Sequence, residues 1–159
     1  MDVEIKKQVL RKLTYGMWVI AAAAGDDVEA SSVTWVTQAS FKPPLVVVCV
    51  RADTHLRTVV QKAQAFALHL LASDQVELAK AFTKPTVVEP GLIGGITYNA
   101  GTTGAPILAG FPAWLEAKVT DVVDRGDHTI FVAEVVKVGS TDLDAAPLTL
   151  ATTGWTYGG

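Results

Sequence analysis

From Ala30 to Val50 the chain reads ASSVTWVTQASFKPPLVVVCV, two strand-like segments meeting at the corner Lys42-Pro43-Pro44. Neither proline can donate to a ladder, so pairing stops there. Period two places Ser32, Thr34, Val36, Gln38 and Ser40 on one face of the first segment and Val33, Trp35, Thr37 and Ala39 on the other. A strand that spends so many positions on hydroxyl and amide side chains needs something polar against it. Leu45 to Val50 is a continuous aliphatic run, expected to be buried on both faces.

Outward from this stretch, Met17–Ala24 reads as a buried strand, and the turn Gly25-Asp26-Asp27 pairs it in a hairpin with a long strand over Val28–Phe41. Ile5, Val9 and Leu13, spaced by four, predict an amphipathic first helix ending at Gly16. After the loop Arg51–Thr54, capped by Asp53 or Thr54, a helix turns Leu56, Val59, Val60 and Ala63 inward. A strand follows at Phe66–Leu71. A short helix then runs to Phe82, with Asp74 and Glu77 at capping-box spacing. Thr83–Pro106, rich in Gly, Pro and Thr, is expected as a long functional loop. Trp114–Asp124 and Thr129–Val138 form a hairpin across Arg125-Gly126-Asp127-His128, and a short strand is expected at Leu148–Leu150. The class is mainly β with peripheral helices, as one domain over 1–159. Hairpins without repeated βαβ units favour a closed antiparallel barrel over a doubly wound sheet.

Of 159 residues 50% are hydrophobic and 18% charged, which excludes a disordered chain and hints at surface buried against another subunit. The net charge of -3 and the lack of a basic run argue against nucleic acid. Every apolar run is broken within about ten residues, so no membrane span is expected. The N-terminus carries no secretory h-region. The lone Cys49, expected as a buried hydrophobe, suits the reducing cytoplasm. The glycine motifs of the common nucleotide folds and the G-x-S-x-G elbow are absent, and His55, His69 and His128 stand apart from any metal-ligand spacing.

The loop after Val50 is suited to a phosphate. Arg51 and Arg57 supply guanidinium groups, Thr54 and His55 sit at a helix start, and the Gly-rich segment adds Lys84. Each charge-assisted hydrogen bond to such a group is worth roughly 1.5 to 3 kcal/mol.

SVTWVTQASFKPPLVVVCV, then R-x-D-T-H, then FALHLL and RGDHTIFVAEV resemble, in that order, the flavin reductase-like family with the FMN-binding split β-barrel. KLTYGMWVIAAA looks like its opening strand, so the resemblance runs from about Lys12 to Val138. Flavoredoxin-like proteins and the reductase modules of flavodiiron proteins are the most similar branches. The resemblance implies an antiparallel Greek-key barrel that binds FMN, or FAD, and takes electrons from NAD(P)H. It implies a homodimer with flavin near the interface, passing electrons to free flavin, a monooxygenase or a redox protein. Thr34, Trp35, Val36 and Thr37 would line the ring, and Gln38 and Ser40 would continue toward the ribityl chain and phosphate. Arg51, Thr54 and His55 match the phosphate-side loop, and His128 matches a position where nicotinamide stacks, with a positioning and electrostatic role. Ala30 and Ala133 stand where glycine is common and His69 where asparagine is usual; His69 reads as a satisfied structural residue. With Gly159 so soon after Tyr157, no long substrate-covering tail is expected. A flavoredoxin-type electron carrier without NAD(P)H activity and a non-catalytic ligand-binding barrel remain alternatives.

Overall fold

The computed structural model describes residues 1–159. The chain runs α1 (Val3–Leu10), β1 (Trp18–Ala24), β2 (Asp27–Val33), β3 (Val36–Ser40), β4 (Leu45–Arg51), α2 (His55–Ala63), β5 (Ala65–Leu70) and α3 (Val76–Ala81). It continues through β6 (Val88–Glu89), β7 (Leu92–Ile93), β8 (Ile96–Ala100), β9 (Pro106–Leu108), β10 (Ala113–Asp124), β11 (His128–Ser140) and α4 (Leu150–Thr153). Seven strands form one antiparallel sheet in the order β2-β1-β5-β10-β11-β4-β3, and β6 to β9 form a small meander. No helix is long and apolar enough to cross a membrane.

Thr34 and Trp35 alone separate β2 from β3, yet these strands stand at opposite edges of the seven-stranded sheet. Laid flat, those edges would be about 29 Å apart at strand spacing, while the chain advances at most about 3.6 Å per residue. The sheet must therefore roll until its edges meet. They meet without pairing, so the barrel stays open along a seam. This corrects the expectation of one continuous strand over 28–41. The alternation breaks at the seam, where the Val36 N–H donates to the Thr34 carbonyl (3.0 Å) and the Cys49 N–H to the Trp35 carbonyl (3.0 Å).

The barrel interior is filled by Ile20, Val48, Phe66, Leu68 and Phe131, and α2 closes it with Leu56, Val59 and Val60. Thr54 caps that helix by accepting from the Arg57 N–H, and Gln64 ends it in the left-handed region (φ 53). Ala30 and Ala133 are buried, so their methyl groups are accommodated by the packing. On β4, Val46, Val48 and Val50 are buried while Leu45, Val47 and Cys49 are half-buried, so the run is not covered equally on both faces.

β1 is buried on both sides, because Val19 and Ala21 point outward into a second cluster with Leu71, Phe82, Ile93, Leu108 and Phe111. That cluster explains the Gly-rich segment. It is not a loop: β6 to β9 bring Ile93 and Leu108 onto the outer face of β1, and Gly94 (φ 58) and Gly95 (φ 77) make the two-residue β7–β8 turn. His69, fully buried, ties the layers together. Its Nδ1 donates to the Val19 carbonyl (3.0 Å), and its Nε2 accepts from the Leu108 N–H (3.0 Å).

Three local expectations fail for identifiable reasons. α1 ends at Leu10 and buries no side chain, leaving Ile5, Val9 and Leu13 exposed. α3 starts after Gln75 without a side-chain cap, because the Gln75 amide instead accepts from the Ala72 N–H (2.9 Å) and donates to the Gly110 carbonyl (2.8 Å). Leu148 forms no strand of its own. It is buried between backbone bonds to Met17 (2.8 Å) and Leu71 (2.7 Å), and the chain then turns into α4.

Candidate functional site

A cavity of about 450 Å³ opens at the barrel seam, within the range of small-molecule and cofactor pockets. Ser31 to Trp35 of the β2–β3 crossing form one wall, Cys49 to Arg51 of β4 another, and Thr54 and Leu56 of α2 the floor. Thr83 approaches from the end of α3, and Leu150 and Trp155 to Tyr157 cover the top. A second cavity of about 640 Å³ lies alongside and shares Trp35, Arg51 and Tyr157 with the first. Its remaining wall includes Lys6, Asp53, Asp127 and His128.

Two buried polar atoms on the wall of the first cavity have no protein partner, the Thr34 hydroxyl and the Trp35 indole N–H. Leaving such groups buried and unpaired costs about 1 to 3 kcal/mol each, so they suit a ligand that supplies partners. Ser31 and Ser32 are already engaged, donating to the carbonyls of Phe82 (3.2 Å) and Ala79 (2.7 Å). They fasten β2 to the end of α3 instead of facing a ligand.

Arg51, Arg57 and His55 of the phosphate-suited loop are each paired with a carboxylate. Arg51 donates from Nε and Nη2 to Asp53 (3.0 and 2.6 Å), which holds the Asp53 carboxyl below its ordinary range. Arg57 bonds Asp124 (2.7 Å) and Thr129 (3.1 Å). His55 Nε2 lies 2.6 Å from Asp27 at the β1–β2 turn, and Lys62 lies 3.6 Å from the same carboxylate. That hydrogen bond holds the Asp27 carboxyl low.

Thr34, Trp35, Arg51 and Thr54 therefore stand on the cavity wall, and the other proposed binding residues do not. His55 is turned away to Asp27, and Lys84 is exposed one residue beyond the Thr83 contact. Val36 packs on the barrel core. Thr37 and Gln38 are exposed on β3, with hydroxyl and amide bonded to the Gln38 and Ser40 carbonyls, and Ser40 ends that strand. All four follow the seam, where the chain has left the cavity.

His128, at the start of β11, pairs with Arg51 of β4 in register. Its ring lies against Trp35 (centroids 4.4 Å apart, planes tilted by 39°), Nδ1 lies 2.7 Å from Asp127 Oδ1, and Nε2 lies 2.7 Å from the Tyr157 hydroxyl. The tail that carries Tyr157 passes over Trp35 at Gly158 (φ 82), where a Cβ would stand 2.9 Å from the indole ring. Arg11, the residue that ends α1, donates from Nε to the Gly158 carbonyl (3.1 Å). So Trp155 to Tyr157 cover the seam cavity and Tyr157 to Gly159 line the second, which the sequence reading did not foresee. Ser32, on the polar face of the first segment, lies on the wall as that face implied, whereas Ser31, Thr83 and Cys49 were not foreseen there; Cys49 is half-buried, and burial pushes its thiol up. The Trp and Tyr in an otherwise small and polar tail were the one available signal.

The chain is an antiparallel barrel open along one seam, with a cavity at the seam and an aromatic-histidine cluster beside it. The chain belongs to the flavin reductase like domain family, which matches residues 10–158. It is 29% identical over 136 residues to diflavin flavoprotein A 1 of Synechocystis sp., covering 85% of this chain and 24% of that protein. It is 27% identical over 145 residues to the NADH:FMN oxidoreductase of Rhodococcus qingshengii, covering 89% of this chain and 74% of that one. Among solved structures it is similar to BorF, the flavin reductase component of a bacterial two-component tryptophan halogenase, with a TM-score of 0.74 and 28% identity over 89% of each chain. The chain spans about a quarter of the length of the diflavin relatives.

Proposed function

We propose that the chain is an NAD(P)H-dependent flavin reductase that holds FMN at the barrel seam. The observation that carries this reading is the seam cavity, with the unpaired Thr34 hydroxyl and Trp35 N–H on its wall. Arg51 stands on its β4 wall next to the first turn of α2, where a helix start favours an anion. Arg51 commits two of its five N–H donors to Asp53 and keeps the others for a phosphate. FAD shares the same phosphate and ring chemistry and is the alternative cofactor. Bound flavin supplies the hydride-accepting ring; the chain's residues bind it, orient it and cover it against water. Lys84, His55, Thr37, Gln38 and Ser40 have no part in this version of the site, and Val36 serves the core.

The second cavity, bounded by His128, receives the nicotinamide. Relatives named for NADH and FMN support the pairing of reductant and cofactor. The functional unit is a homodimer in the cytoplasm, a reading that rests on exposed Phe41 (86%) and Val138 (68%) beside a lone cysteine. Electrons then pass to free flavin or to a partner such as a monooxygenase. The relative that serves a two-component halogenase supports such a partner.

The test is spectroscopic. Purified protein loaded with FMN shows a bound-flavin spectrum, and anaerobic NADH or NADPH bleaches it. A loaded protein that neither coenzyme bleaches is an electron carrier, and a protein that takes up no flavin overturns the reading. Within this reading His128→Ala lowers the reduction rate about tenfold, or about 1.4 kcal/mol, with FMN affinity unchanged within about twofold. Stopped-flow reduction and a flavin titration of the same variant check both parts.

A further inference from the structure

We infer that Tyr157 is a positioning residue, holding the His128 imidazole in one tautomer and one orientation where the two cavities meet. This rests on the reading of His128 as the residue beside the reductant. The tautomer follows from the partners. Asp127 Oδ1 lies 2.7 Å from Nδ1, and the bond to His128 holds the Asp127 carboxyl below its ordinary range. An ionised carboxylate only accepts, so Nδ1 carries the hydrogen. In the neutral ring Nε2 is then an acceptor, and the Tyr157 hydroxyl at 2.7 Å donates to it. Burial pushes the Tyr157 phenol up, so it keeps its proton. Should the imidazole gain a proton, the same hydroxyl can rotate and accept.

Geometry distinguishes the hydroxyl from the rest of the side chain. Trp35 packs against the imidazole with its plane tilted by 39°, and the Tyr157 ring stands nearly perpendicular to the imidazole (86°, centroids 5.9 Å apart). The Tyr157 ring also meets Trp35 edge-on at 5.3 Å. A phenylalanine would keep those contacts and the cavity wall; only the hydroxyl reaches Nε2. The two holds on the imidazole differ in shelter. Asp127 is 95% exposed, so water competes for its bond, whereas the His128 side chain is 13% exposed. The tail is itself held in place by the Thr149 capping box, the left-handed Gly154 (φ 73) and the Arg11 bond to Gly158.

The experiment compares Tyr157→Phe, His128→Ala and the double variant. In flavin-free protein, ¹⁵N spectra of the His128 imidazole show one neutral Nδ1–H tautomer for the unsubstituted chain and a mixture for Tyr157→Phe. In FMN-loaded protein, Tyr157→Phe slows anaerobic reduction by NADH about fivefold, the loss of one hydrogen bond, with FMN affinity within about twofold. On the His128→Ala background Tyr157→Phe changes nothing further, because its effect passes through the imidazole. Unchanged imidazole spectra in Tyr157→Phe, or additive slowing in the double variant, would overturn the assignment. If His128→Ala slows reduction and Tyr157→Phe does not, Tyr157 is only a wall. If neither variant is slowed, the placement of the reductant beside His128 fails, and this inference fails with it.

Discussion

Arg51→Ala is expected to weaken FMN binding about ten- to a hundredfold, or about 1.5 to 3 kcal/mol, the worth of a charge-assisted bond to a phosphate. Arg51 is the one basic side chain on the seam cavity wall. Arg57 is spent on Asp124 and Thr129, and His55 on Asp27, so neither can take over. Arg51→Lys is expected to recover part of the loss, because an ammonium restores the charge but not the planar fork. Asp53 gives the assignment its sign. Its carboxylate grips the guanidinium at 2.6 Å and repels a phosphate at the same place, so Asp53→Asn should leave FMN affinity equal or raise it. A fluorescence titration of FMN against the variants decides the matter. Undiminished affinity in Arg51→Ala would move the phosphate to another wall.

The second large effect is on stability and belongs to His69. Burial lowers its imidazole from an ordinary 6.5 to about 4. Above pH 6.5 folded and unfolded chains both hold it neutral. As pH falls from 6.5 to about 4 the unfolded chain takes up the proton and the folded chain does not, so the folded state loses stability through that window. A pKa unit is worth about 1.4 kcal/mol, so the full loss below the window is about 3 kcal/mol. The structural reason is visible at Nε2. It accepts from the Leu108 N–H, and a proton there would set two donors face to face between β5 and β9. His69→Asn, which keeps a donor and an acceptor, should flatten the dependence between pH 6.5 and 4 even if it is less stable at pH 7. Denaturant unfolding at stepped pH measures it. An equally steep loss in His69→Asn would assign the acid sensitivity to another group. The carboxylates Asp27, Asp53, Asp124 and Asp127 are all held low, so their contributions fade only as pH falls through and below the ordinary carboxylate range.

Much of the fold was legible because it is local. The Gly25 turn, the Thr54 cap, the inward face of α2 and the β10–β11 hairpin each depend on a few adjacent side chains, and each appears where the sequence places it. The amphipathic pattern at Ile5, Val9 and Leu13 correctly predicts a helix but not its burial, since nothing in this chain covers it. The segment 83–106 misled for the opposite reason. Its glycines read as loop, while the scattered Ile93, Ile96 and Leu108 are what seat it on β1.

The site was less legible than the fold. Period two runs without interruption from Ser31 to Ser40, and nothing in those ten residues marks the break at Thr34 and Trp35. The break exists because β2 and β3 belong to opposite edges of a rolled sheet, a constraint set by pairings as distant as Val19 with His69. Arg51, Arg57 and His55 look alike in sequence as phosphate-binding candidates. Carboxylates from Asp27 and Asp124, far along the chain, decide which remain available. What the sequence determined by itself is the Gly25 turn, the Thr54 cap, the inward face of α2 and the β10–β11 hairpin, because each is a balance of backbone sterics and neighbouring side chains. Only the tertiary structure decided that the seam becomes a cavity, that Arg51 alone faces it with spare donors, and that Tyr157 closes on His128. Those facts depend on atoms far apart in the chain, such as Trp35 and Tyr157 or Arg57 and Asp124, where local propensity carries no information.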